Sequence, residues 1–169
     1  THIMIGVRAF SMFDQRRYTL EVLADILGGG MSSRLFQTVR EELGAAYYVR
    51  ASADLYTDHG YLAAGAGVEH SKLKIVVKAI LNEFNKLKSE RVSTEELERA
   101  KSHLSGNLLL GLETSDALAI YYGSQEILKR TVTTPEELVK GISAVTAGQI
   151  HDVANEIFKN DRLNMALIG

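Results

Sequence analysis

The stretch QTVREELGAAYYV, residues 37–49, sets Arg40 seven positions before Tyr47, with the small step Gly44-Ala45-Ala46 between them. A guanidinium is a permanent cation whose planar fork of donors matches a carbonyl or a carboxylate. A phenol is a neutral O–H donor. Aimed at one point, the two would grip a polarised oxygen. The same residues also have a purely structural reading. Arg40 falls in the last turn of a helix, where a cation meets the negative end of the dipole, and Gln37 or Glu41 is at hand as a partner. Tyr47 falls at the start of a strand. Spacing alone leaves both readings open.

Other chemistries are excluded more firmly. The five histidines are His2, His59, His70, His103 and His151, and no two lie three to five apart. Neither H-x-x-E-H nor H-E-x-x-H occurs. With no cysteine either, a zinc site built by this chain alone is not expected. Gly28–Gly30 followed by Ser32 and Ser33 lacks the spacing and the lysine of a phosphate loop, since the first lysine is Lys72. No G-x-S-x-G elbow is present for a serine nucleophile.

The elements that must position Arg40 and Tyr47 follow from periodicity. Thr1–Phe10 alternates through Ile3, Ile5 and Val7 and predicts a strand. Tyr18, Leu20, Leu23, Ile26 and Leu27 mark one face of a helix that stops at Gly28–Gly30. A second helix, capped by Ser32 or Ser33, turns Leu35, Phe36, Val39 and Leu43 inward and ends at Gly44. Ala46–Tyr56 and Tyr61–Val68 predict a hairpin around Thr57-Asp58-His59-Gly60. Leu73 to Leu87 keep helical spacing, and Ser93–Glu96 reads as a capping box. Further helix starts stand at Ser115, Thr134-Pro135 and Thr146, and Arg162–Ile168 predicts a last strand. The order predicts one α+β domain over residues 1–169, an antiparallel-rich mixed sheet with helices packed on one face.

Composition narrows the class. The apolar fraction is 46% and the charged fraction 24%, which predicts a globular domain. A formal charge of −2 argues against a nucleic-acid or anionic-membrane binder. No apolar run is long enough for a membrane span. The chain does not begin with Met and reads as a piece of something longer. A soluble setting, cytoplasm or mitochondrial matrix rather than secreted, is the expectation. Every basic residue before Lys72 is arginine: Arg8, Arg16, Arg17, Arg34, Arg40 and Arg50.

The segment GGGMSSRLFQTVREELGAAYYV, Gly28–Val49, resembles the C-terminal half of the pitrilysin and mitochondrial-processing-peptidase family, the inverzincin metallopeptidases. The resemblance rests on Gly30-Met31-Ser32-Ser33-Arg34-Leu35-Phe36, on Arg40-Glu41 at a helix end, on Gly44-Ala45-Ala46 and on Tyr47. It continues through the hairpin, the long helix after Glu69 and Ser93–Lys101, over essentially the whole chain. It implies a metallopeptidase half-unit of the LuxS and processing-peptidase type. In that family homologous α+β units face each other like a clam. One carries H-x-x-E-H and a distant Glu that bind zinc; the other supplies an Arg and a Tyr seven residues apart.

By that resemblance Arg40 and Tyr47 would act in catalysis and substrate binding in trans to a zinc-bearing unit; Tyr48, which strand periodicity places on the exposed face, is a further candidate substrate contact. This chain would hold no metal, and zinc is expected in the partner unit. The partners implied are a homologous zinc-bearing domain or subunit and a peptide substrate. The function implied is the substrate-binding, transition-state-assisting half of a zinc metalloendopeptidase acting on peptides or unfolded segments, inactive alone. The alternative is a catalytically silent binding or scaffold subunit of the presequence-recognition or respiratory-complex-core type. Regular alternation along Ala46–Tyr56 raises a conflict. It puts Tyr47 with Val49, Ala51, Ala53 and Leu55 on the apolar face, and Tyr48 with Arg50, Ser52 and Asp54 on the polar one.

Overall fold

The computed structural model describes all of residues 1–169. Strands β1 (His2–Ala9), β2 (Ala46–Leu55), β3 (Gly60–Val68) and β4 (Leu163–Ile168) form one sheet in the order β2-β3-β1-β4. Every pairing is antiparallel, and the first and last strands are neighbours, with His2 opposite Ile168. The predicted α+β architecture is the observed one. Alternation explains the strands: Ile3, Ile5 and Val7 are buried on one face, and Leu62, Ala64, Ala66 and Val68 join them from β3.

The helices are α1 (Arg17–Gly28), α2 (Leu73–Ser89), α3 (Thr94–Gly111), α4 (Ser115–Lys129), α5 (Pro135–Ser143) and α6 (Ala147–Ile157). Helix α1 departs from the expectation of a one-faced helix. Nine of its residues are buried, because it lies against β2 and is covered in turn by α3, α5 and α6. Gly28 has a role beyond ending the helix. A Cβ there would collide with the Ala51 backbone nitrogen and sit 2.7 Å from the Arg50 carbonyl carbon, so α1 touches the backbone of β2.

Helix caps follow the sequence at Thr134 and Thr146, where reciprocal bonds with Glu137 and Gln149 complete two capping boxes. At Ser93 only half the box forms. Its hydroxyl accepts from the Glu96 amide at 3.1 Å, but the Glu96 carboxylate is drawn away to Arg34. Helix α4 is capped by Thr114, one residue before the expected Ser115. No helix is long and apolar enough to cross a membrane. The helices cover one face of the sheet and leave the other open.

Candidate functional site

The conflict over Tyr47 is resolved by the backbone. Ala46 pairs with Val68, yet Tyr48 pairs with Gly67, so Tyr47 is an extra residue, a β-bulge at the mouth of β2. Alternation is regular only from Tyr48 onward: Val49 and Ala51 point into the core, while Tyr48, Arg50 and Ser52 face out. The bulge turns Tyr47 out of the sheet with 71% of its surface exposed and its hydroxyl free. Tyr48, at 39%, is committed elsewhere. Its hydroxyl lies 2.9 Å from His2 Nδ1, and its ring roofs Gly67, where a Cβ would meet ring carbon at 2.5 Å.

Arg40 comes from the helix before the bulge. The sequence predicts an ordinary helix there; the structure shows wide π-type turns over Phe36–Glu42. The Leu43 amide reaches back to the Thr38 carbonyl at 3.1 Å, and Ala45 to Val39 at 3.0 Å. Gly44 closes the segment with φ +53°, a conformation that suits glycine, and its carbonyl accepts from Lys72 Nζ at 2.9 Å. Widening changes which residues face inward. Val39 is buried, Phe36 is half-buried, and Leu43 is exposed rather than in the core. Arg40 is exposed, its guanidinium carbon 5.2 Å from the Phe36 ring centroid and in no ion pair. Arg40 and Tyr47 flank one tight connection and share no hydrogen bond; each is left with its donors free.

The segment before this connection is held at Arg34 and Thr38 by a charged cluster that sequence reasoning missed. Glu83 of α2 has a side chain only 3% exposed. Lys86 Nζ donates to it at 2.7 Å, Thr38 Oγ1 lies at 3.5 Å, and Arg34 stands 4.0 Å away. Arg34 also grips Glu96 of α3 with two bonds, at 2.7 and 2.9 Å. The Glu96 carboxylate holds the Arg34 guanidinium above its ordinary value. Thus α2, α3 and the π-helix meet in one network. The signal was available: Glu83 lies three after Ile80 and four before Leu87, in phase with the buried stripe.

A second link fastens the end of α1 to α3. His103 Nδ1 lies 2.7 Å from Asp25 Oδ1, and Asn107 Nδ2 is 3.0 Å from His103 Nε2. Burial raises the Asp25 carboxyl above its ordinary value, with His103 opposing. On the open sheet face a groove of about 570 Å³ runs over Gly65 between Tyr48 and Arg50 on one side and Met4 and Ile168 on the other. At its far end Tyr56 and Asp54 push the Tyr61 phenol up to about 12. Nowhere do three or more His, Asp or Glu side chains converge as a metal site would need, so the residues present do not fit a zinc centre.

The site is thus an α+β unit with one bare sheet face, on which an exposed tyrosine at a β-bulge and an exposed arginine in no ion pair flank one turn. The family description of the peptidase M16 inactive domain matches residues 1–104, more than half the chain, and the chain belongs to that family. It is 32% identical over 160 residues to a protein called an uncharacterized zinc protease in Bacillus subtilis, covering 95% of this chain and 39% of that protein. A protein of the same description from Rickettsia felis is 39% identical over 160 residues, covering 92% and 37%. Among solved structures, a protease from Helicobacter pylori superposes with a TM-score of 0.87 at 19% identity, over 97% of this chain and 40% of that one. The last likeness shows the fold. The chain spans about two-fifths of the length of the curated relatives it matches.

Proposed function

We propose that this chain is the substrate-clamping half of a zinc metalloendopeptidase, paired with a homologous zinc-bearing unit and acting on peptides or unfolded segments. The observation that supports it is the bulge: it gives up a ladder position to turn Tyr47 out of the sheet, seven residues after an exposed arginine that joins no ion pair. Peptide hydrolysis passes through a tetrahedral oxyanion. The Tyr47 O–H is a neutral donor suited to that oxygen, and the Arg40 fork holds a neighbouring substrate carbonyl or carboxylate. Zinc belongs to the other unit in this reading. Because the donors arrive from a separate body, catalysis requires the two units to close on the peptide, which excludes bulk water.

The test uses the whole protein as isolated from its source. Tyr47→Phe removes only an exposed hydroxyl, so stability stays level while kcat falls about a hundredfold or more, the usual cost of losing one oxyanion donor. Tyr48→Phe breaks the His2 bond and leaves that fall absent. Full turnover by Tyr47→Phe, or zinc missing from the intact assembly, refutes the reading; the latter result is the one a silent scaffold subunit would give.

A further inference from the structure

The open face of the sheet holds a groove that the clamping pair does not use. Strand registers line up its side chains in rows across the sheet. One row runs from Met4 over Gly65 to Arg50; the row farthest from the bulge runs from Arg8 over Tyr61 to Asp54. In the far row a carboxylate and a guanidinium flank the phenol. In the Arg50 row no carboxylate balances the charge. Arg50 is exposed and joins no ion pair, with the Tyr48 ring 6.0 Å away at its centroid. Asp54 lies four residues further along the same strand, about 13 Å off.

The floor beside Arg50 is bare. A Cβ on Gly65 would meet nothing closer than the Ile3 carbonyl oxygen at 3.7 Å, whereas Gly67 one row away is roofed by Tyr48. The cavity of about 570 Å³ therefore opens over Gly65 and has room for several side chains. An unpaired guanidinium beside an open, partly apolar trough is a receptor for a carboxylate on a short apolar stem. Arg50 stands three residues after Tyr47 on one strand, about 10 Å along it.

We infer that this groove is a specificity subsite: it takes an acidic side chain of the peptide, within about three residues of the bond held at Tyr47, with the carboxylate on Arg50 and the stem over Gly65. This rests on the clamping reading and adds a substrate class to it, peptides acidic close to the cleaved bond.

The experiment measures kcat/KM of the whole protein on a peptide series in which Glu, Gln or Lys is moved through the three positions on each side of the cleavage site. The expected result is one position where Glu exceeds Lys by about tenfold. Arg50→Glu reverses that preference towards Lys. Gly65→Leu, which fills the trough from the floor, erases it by raising KM for the Glu peptide without changing kcat. Both variants keep the wild-type unfolding temperature, since Arg50 is exposed and Gly65 has open space above it. Cleavage with no charge preference, or a preference that survives Arg50→Glu, overturns the subsite and leaves the clamping pair standing. Failure to cleave any peptide overturns the clamping reading and the subsite with it.

Discussion

Gly28 and Gly106 make opposite predictions for the same substitution. Both are helical glycines; in isolation Gly106, inside α3, gains about 0.5–1 kcal/mol of helix stability on becoming alanine, and Gly28, the last residue of α1, gains less. Gly106 in α3 has nothing within 4 Å of an added Cβ, so Gly106→Ala should show that gain. Gly28 has the β2 backbone in the way. To bring even the 2.7 Å approach to Arg50 out to an ordinary 3.4 Å, α1 must retreat by 3.4 − 2.7, or about 0.7 Å, and the nearer Ala51 nitrogen demands more. A gap of that size forfeits roughly a quarter to a half of the dispersion attraction across the contact. Overpacking of a core costs about 1–3 kcal/mol, and the obstacle here is backbone, which cannot swing aside, so the upper end applies. The assay is hydrogen exchange of the whole protein, followed on segments covering β2. Gly28→Ala should speed exchange of β2 amides on the order of a hundredfold, and Gly106→Ala should slow or spare exchange in α3. Since β2 carries Tyr47 and Arg50, kcat/KM should fall with Gly28→Ala as well. Equal protection in both variants would refute the claim that α1 and β2 meet through Gly28.

Two further outcomes follow from charge. Arg34→Ala leaves Glu83 buried with only Lys86 as cationic partner and frees the π-helix from α3; a loss of about 3 kcal/mol is expected in denaturant unfolding, and Glu96→Ala alone should cost less. Burial raises the Glu21 carboxyl, with Arg17 and Lys129 opposing. A carboxyl raised on folding ionises later in the folded chain than in the unfolded one, so its burial destabilises the fold as pH rises through that window. Glu21→Gln should therefore raise the unfolding temperature at neutral pH, and the gain should vanish at pH below the ordinary carboxylate range, where both states are protonated. A gain that persists in acid would show packing, not charge, at work.

The sheet, the helices and two of the caps were legible because each depends on neighbours in sequence. Alternation in β1 sorted Ile3, Ile5 and Val7 from their neighbours, and Thr134 and Thr146 announced helices that begin there. The bulge was not legible. Whether Tyr47 falls in or out depends on where Val68 and Gly67 pair, a contact between residues some twenty positions apart. Period two, applied without that knowledge, buries the tyrosine that the fold exposes. The π-type turns were not legible either: Thr38 within them reaches Glu83 of α2, and Arg34 just before them holds Glu96 of α3, contacts that local periodicity does not carry. Glu96 shows the same competition, since the local capping box loses its carboxylate to a distant guanidinium. The Arg50 groove was half legible. Its β2 side was visible as the polar phase of the strand, but the floor at Gly65 and the Met4 wall come from β3 and β1.

The pairing of β1 with β4 brings His2 opposite Ile168, and a Cβ on Gly169 would lie 2.6 Å from the Thr1 hydroxyl. Residues 1 and 169 therefore meet at one place on the surface, not two. A fold whose two ends are neighbours can be joined end to end and reopened at an exposed loop elsewhere without disturbing its interior.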